Sequence, residues 1–415
     1  MNTSDAYHNH GIKDFKAVAT KYLDNCTSVT LEAKSHSCPC CGSLDIKVMP
    51  LRNRFIVGLP TGPRKTLFEV CSCRVYCHAC HQSLYEPLAF LPYQKCRLTR
   101  SACTYLVELR KTMTLGMVAR HFGIDTDTVK SIETLYLKRH YGNGKARLRD
   151  VKNLGVDEIY LFRCATGEGD DQKYLTVVRD NDTGHVLFVG RGKGVEALKE
   201  FSVNLKRCHS RIETVTMDMS NSYAKWVDDN LPGAVVIYDH FHVVKAANDA
   251  LDKVRRMCAG KLDRASASTL KGNRFLLLRN AESLNEDEVE RLDSMRDSIH
   301  ELRDAYMLKE ELRGIYRYAS SAEDARSRLE QWMLDARAVD LAPFRTLANT
   351  IQRHLEGICA FWTCARATNA GAEGFNNKIR HLFSIAYGYR DVDYFILKIY
   401  ELPECRLSTT LNKIA

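Results

Sequence analysis

The spacing of apolar positions changes period along this chain, and each change predicts an element. Between residues 98 and 141 apolar residues recur at helical spacing. Residues 101–110 form one amphipathic helix, and a second runs from Thr114, a suitable N-cap, to Gly123, a suitable stop. Asp125 or Thr126 can cap a third helix over residues 126–137. After a basic linker at residues 142–147 the period shortens to that of strands, at residues 154–162, 173–179 and 185–189. The turn Asp180-Asn-Asp-Thr-Gly184 joins the last two. Helices follow at residues 194–207 and 221–230, and strands at residues 212–217 and 234–238.

From residue 243 to about residue 343 heptad-like Leu and Arg positions run without a strand signal, which predicts an all-helical insertion. A three-strand meander followed by alternating helices and strands is the order of an RNase-H-like fold. The fold class is therefore α/β: a mixed five-stranded sheet interrupted by the insertion and preceded by a cysteine-rich ribbon and a helix-turn-helix. The predicted regions are 1–97 (ribbon), 98–149 (helix-turn-helix and linker), 150–242 (first part of the sheet domain), 243–345 (insertion) and 346–415 (closing helices).

That order places the first and fourth strands side by side, so Asp157 in the apolar run Leu154-Gly-Val-Asp157 comes near Asp218 at the end of Ile212-Glu-Thr-Val-Thr-Met-Asp218. Buried carboxylates are costly unless paired, hydrogen-bonded or metal-bound. A later helix must bring a third. The segment Asn369-Ala-Gly-Ala-Glu373-Gly-Phe-Asn-Asn-Lys378-Ile-Arg380 sets one acid among amides and bases. A lone glutamate on such a helix ordinarily pairs with a neighbour. Joined to two buried aspartates, it completes what a divalent-metal phosphoryl-transfer site requires. Lys378 and Arg380 extend the same helix and could meet phosphate.

Half of the 16 cysteines precede residue 81. Cys38-Pro-Cys-Cys41 and Cys77-His-Ala-Cys80 are paired knuckles that predict a structural four-thiolate zinc site, with Cys40, Cys71, Cys73 and His78 as competing ligands. Four sulfurs leave no open position, which excludes a catalytic zinc there. Charge sharpens the picture. Residues 1–150 hold 22 Lys and Arg against 12 Asp and Glu, whereas the remainder holds 38 against 39. A basic first third suits a polyanion such as DNA. In the helix-turn-helix, the second helix would enter the major groove, with Thr126, Asp127, Lys130 and Ser131 near bases or phosphates. At 415 residues the chain is too long for one simple core. Without an export signal or a bilayer-length apolar run, it reads as cytoplasmic.

The strings GVDEIY, VTMDMSNSYAKWV, YDHFHVVKAANDALDKVRR and TNAGAEGFNNKIRHLFSIAYGYRDVDYF resemble those of bacterial insertion-sequence transposases of the ISL3 family. The resemblance covers nearly the whole chain. It implies a DDE triad of Asp157, Asp218 and Glu373, holding two magnesium (or manganese) ions, and association with the bacterial nucleoid. Asp239 and His242 match an Asp-x-x-His signature of related transposases and are expected either as accessory groups or as a buried capping pair. The sequence departs at Asn221-Ser222, where the family carries proline. The implied activity is binding of an element's terminal inverted repeats, metal-dependent strand cleavage and transfer to target DNA, with a homodimer or larger assembly on double-stranded DNA. A metal-dependent nuclease without strand transfer, and a regulator or domesticated DNA-binding protein with an inactive catalytic domain, are the alternatives.

Overall fold

The computed structural model describes residues 1–142, 148, 150–161, 173–364, 370–386 and 388–404. Most of the expected linker, Phe162 and Asn369 lie outside the described residues. Two compact units divide the chain, one holding the described residues up to Gly142 and the other those from Leu148 to Pro403.

The first unit opens with α1 (Thr3–His10) and a five-stranded sheet built from β1 (Phe15–Leu23), β2 (Cys26–Ala33), β3 (Ile46–Val57), β4 (Lys65–Cys77) and β5 (Ser83–Tyr85). The order is β1-β2-β4-β3, with β5 also on β4. Only β2 and β4 pair in parallel. Ile12, Val29, Ile56, Phe68 and Val70 fill the core of this sheet. Three helices follow: α2 (Arg100–Arg110), α3 (Leu115–Phe122) and α4 (Thr126–Tyr141). Thr114 caps α3 by accepting from the Met117 N–H, and Gly123 ends it at φ 67°, where a side chain would be strained. Of the two expected caps for α4 it is Asp125 that acts, accepting from the Thr128 N–H at 2.7 Å. Leu106, Val118, Phe122, Val129 and Ile132 share a core, and a buried Arg110–Glu133 ion pair at 2.8 Å ties α2 to α4.

The second unit carries β6 (Asn153–Tyr160), β7 (Tyr174–Asp180), β8 (Val186–Arg191), α5 (Lys199–Cys208), β9 (Thr214–Met217), α6 (Asn221–Asn230) and β10 (Val235–Tyr238). Its sheet runs β10-β9-β6-β7-β8. β9 lies parallel to both β6 and β10, and the meander β6-β7-β8 is antiparallel, so the sheet is mixed. The helix expected from Gly194 instead begins as a 3-10 turn over Val195–Leu198. The cause is local: Gly194 sits at φ 80°, and its N–H is held by Glu158 and the Tyr223 hydroxyl at 3.0 Å.

Among the described residues, eight further α-helices lie between β10 and the closing pair: α7 (His240–Ala259), α8 (Arg264–Gly272), α9 (Arg274–Leu278), α10 (Glu286–Ser298), α11 (His300–Tyr318), α12 (Ala322–Ala338), α13 (Ala342–Arg353) and α14 (Leu355–Thr363). They are not a separate body. Leu154, Val156 and Phe188 of the sheet and Phe201 and Trp226 of α5 and α6 share a single core with Leu251, Leu312, Trp332 and Ile358 of these helices. Gly357 lets α14 lie on β10, since a Cβ there would come within 2.6 Å of the Tyr238 ring. Alternation along β6 sends Ile159 to the opposite face, where Val177, Val189, Phe375, Ile379 and Phe395 form a second core with α15 (Ala370–Ile385) and α16 (Val392–Glu401).

Candidate metal centres

In the first unit the sequence builds two matching turns. Cys38 and Cys77 each start a Cys-x-x-Cys turn whose following residue is left-handed, Gly42 at φ 73° and His81 at φ 53°. Cys38 N–H is bonded to Ser43 O and Cys77 N–H to Gln82 O, both at 2.9 Å, so the two turns close in the same way. β3 and β4, antiparallel from Ile46 opposite Cys77, bring them face to face. The thiols of Cys38, Cys41, Cys77 and Cys80 then all lie within 4.8 Å of one another, with 3.6 Å between Cys38 and Cys80 and 3.5 Å between Cys41 and Cys77. A tetrahedron of sulfurs about 2.3 Å from zinc has edges of about 3.8 Å. The donor set and spacing therefore fit zinc. Backbone N–H groups of Cys41 and Cys40 pull the Cys38 thiol down to about 6, which favours the thiolate that binds metal. Cys40, Cys71, Cys73 and His78 stay outside the four-thiol group.

The second centre lies where β9 ends alongside the middle of β6. β6 and β9 pair with Gly155 opposite Thr216, and continuing that register two residues sets Asp218 opposite Asp157. Asp157 shares the face of Ile159, toward α15. Its Oδ1 accepts from the Glu158 N–H at 2.8 Å and its Oδ2 from the Asn376 side chain. Burial and then the neighbouring Asp218 raise its carboxyl to about 6, against the pull of those donors and of His242. His242 Nε2 stands 2.6 Å from Asp218 Oδ1. Burial alone would depress the imidazole, but the carboxylates of Asp218, Asp157 and Asp239 outweigh it and raise His242. His242 and Asp218 form an ion pair, although the approach is not aligned as a hydrogen bond. Two carboxylates and an imidazole at this spacing fit a divalent cation. Asp157, Asp218 and His242 place ligand atoms within 4.8 Å of one another.

The remaining expected residues divide. Asp239 caps α7, accepting from the Phe241 N–H at 3.2 Å, and is 4% exposed. His242 does not complete a capping pair with it but turns to Asp218. Glu373 lies exposed in the first turn of α15 and is not among the residues whose ligand atoms converge. Asn376, one turn further along, is the residue of this helix that reaches Asp157, and it is 6% exposed. Its position three residues after Glu373 was the available signal, because i and i+3 share a helix face. Beside it the Arg179 guanidinium lies over the Phe375 ring at 4.4 Å. Lys378 and Arg380 are exposed, with Arg380 donating to Asn377 at 3.0 Å. On α4, Thr126, Asp127 and Ser131 are exposed and Lys130 is half-buried.

Fold and sites together define a mixed α/β protein with one thiolate and one carboxylate cluster suited to metal ions. The profile of the DDE, ISL3-type family described as Transposase matches residues 154–399. The transposase for insertion sequence element IS1001 of Bordetella parapertussis is 31% identical over 382 residues, 88% of each chain. The transposase for IS1557 of Mycobacterium tuberculosis is 30% identical over 270 residues, 59% of this chain and 58% of its own. A solved Drosophila P element transposase strand transfer complex overlays at TM-score 0.38 and 11% identity over 74% of this chain and 92% of that one, too distant to bear on the fold. The chain belongs to the ISL3 family of transposases.

Proposed function

We propose that this protein is a DNA transposase that binds the terminal inverted repeats of an insertion sequence and catalyses metal-dependent strand cleavage and strand transfer. The observation that carries the reading is the convergence of Asp157, inside β6, and Asp218, just past the end of the parallel β9, with His242, their ligand atoms all within 4.8 Å of one another. The sheet order supports an RNase-H-like catalytic domain. The α3-turn-α4 pair supports a helix-turn-helix, in which Thr126, Asp127, Lys130 and Ser131 meet DNA. The four-thiolate cluster is a structural zinc site bracing the same region.

Asp157, Asp218 and Glu373 form the catalytic set. Two bound Mg2+ or Mn2+ ions would supply the Lewis acidity that in-line displacement at a phosphodiester requires. Asn376 through Oδ2 and the Glu158 N–H through Oδ1 fix the Asp157 rotamer, and the remaining lone pairs of Asp157 together with Asp218 would take cations. Without cations, the raised imidazole of His242 holds its proton against Asp218 and offsets the carboxylate charge. Glu373, one turn ahead of Asn376, is carried on the helix that already touches Asp157. Lys378 and Arg380 continue that helix toward the phosphates on either side of the cut. Because an element has two ends, the working form on DNA is a homodimer or larger, acting on DNA in the cytoplasm.

The test is a cleavage and joining assay on labelled DNA carrying the repeats that flank the gene, with Mg2+, comparing wild type with Asp157→Ala. Nicks at the repeat boundary and joined products, both lost in the variant, are expected. Nicks without joining would leave a nuclease, and binding without cleavage under any divalent metal would leave a regulator.

A further inference from the structure

The four-thiolate cluster does not account for all the metal-ligating chemistry of the first unit. Cys73, whose spacing makes it a competitor for that site, belongs elsewhere. Cys73 and Cys77 lie on the same face of β4 four residues apart, about 13 Å along a strand. The Cys73 thiol instead meets the His36 imidazole and the Glu86 carboxylate, with one ligand atom from each of the three residues within 4.8 Å of the others.

Three separate segments converge here. His36 lies in the loop that leaves β2 for the Cys38 knuckle, Cys73 lies within β4, and Glu86 directly follows β5. The backbone fixes two of them together, because the Glu86 N–H donates to Cys73 O at 3.1 Å. His36 Nδ1 stands 2.6 Å from Glu86 Oε2. Side chains of His36 and Glu86 are 31% and 21% exposed, so an ion can enter. Cys71, two residues along the same strand face, stays outside the set and points its thiol toward the Ser72 carbonyl at 3.7 Å.

We propose that His36, Cys73 and Glu86 form a second zinc site, independent of the four-thiolate cluster and of the carboxylate centre. One imidazole, one thiolate and one carboxylate match the ligand preferences of Zn2+, and their charge balances the ion once the thiol has released its proton to water. Ideal bonds would place the His36 nitrogen about 3.3 Å from the Glu86 oxygen, a spreading of about 0.7 Å that a partly exposed pair accommodates. Three protein ligands leave the fourth position to water. The bound ion clips the His36 loop to β4 and β5 and so fixes the approach to the first knuckle, a role in which the site is structural and exchangeable rather than closed.

The experiment counts zinc per full-length chain by atomic emission, on reduced protein in excess Mg2+ so that carboxylate oxygens are occupied by the hard ion. Wild type is expected to hold two zinc ions, and Cys73→Ser and Glu86→Gln one each. Cobalt substitution separates the sites, because the thiolate-to-cobalt band of the four-sulfur cluster persists in both variants while the weaker second binding step disappears. Glu86→Gln preserves volume and hydrogen bonding, so it reads the site even if Cys73→Ser fails to fold. One zinc in wild type, unchanged in Glu86→Gln, would overturn the proposal and leave a His–Glu ion pair beside a free thiol.

Discussion

The thiolate cluster and the carboxylate cluster are assembled in opposite ways. Cys38, Cys41, Cys77 and Cys80 come from two short turns on one pair of strands, and their sulfurs already stand at zinc-binding separations. Asp157, Asp218 and Glu373 are separated by 61 and 155 residues and come from two strands and a helix. Two of the three have converged, while Glu373 remains exposed. A site whose ligands are fixed by local turns is complete without its ion, and its ion stabilises the fold. On the proposed reading, the site gathered from distant elements is completed only when Glu373 joins it, and its ions serve chemistry.

The largest effect that sharpens this contrast is loss of a knuckle thiol. Structural zinc contributes about 10 kcal/mol in small modules, so Cys77→Ser is expected to unfold the first unit. All three tryptophans, Trp226, Trp332 and Trp362, lie in the second unit, so their fluorescence should keep its native melting while circular dichroism falls. Next comes Asp218→Asn, expected to cut strand cleavage at least ~10³-fold, about 4 kcal/mol of transition-state stabilisation, with tryptophan melting close to wild type because relief of the repulsion with Asp157 offsets loss of the His242 ion pair. A drop in melting comparable to the cysteine variant would erase the distinction between the sites. Smaller still, Asn376→Ala should lower cleavage by about 10- to 100-fold through loss of an outer partner of the ligand. Unchanged cleavage would make Asn376 mere packing.

The mildest test uses acid. The folded Asp157 binds its proton near pH 6, before the unfolded chain does, so the second unit gains about 1 kcal/mol as pH falls from 7 to 5 without divalent ions. His242, raised in the fold, acts in the same direction. His10 acts in the opposite one. It is 3% exposed, its Nδ1 accepts from the Leu59 N–H at 3.2 Å, and burial lowers it to about 4. The unfolded chain therefore takes up that proton first, and the first unit loses about 2 kcal/mol over the same interval. Tryptophan melting should rise on acidification while protease resistance of residues 1–142 falls. Parallel shifts in both would contradict the assignment of these groups.

Legibility in the sequence followed the same division. The knuckles, the caps Thr114 and Asp125 and the apolar strands of the mixed sheet were readable because each depends on neighbours within a few residues. Asp157 and Asp218 were readable as costly acids in apolar runs, and strand order then placed them together. The partners that arrive from elsewhere were not. Asn376 gave no sign beyond its helical phase with Glu373, and His36 and Glu86 carry no motif. His242 could be read as a partner of Asp239, yet its ring reaches Asp218, because Asp239 is already used as the cap of α7. The helices after β10 were legible as helices, but not as one continuous core with the sheet, since that packing joins residues from Leu154 to Ile358.

The most direct test of the account is strand cleavage by Glu373→Gln on repeat-bearing DNA with Mg2+, because Glu373 is the member that the fold leaves apart. The account predicts that DNA binding survives and cleavage falls at least ~10³-fold, as for Asp218→Asn. Cleavage at the wild-type rate would remove Glu373 from the catalytic set and leave the carboxylate centre to Asp157, Asp218 and a ligand not yet assigned.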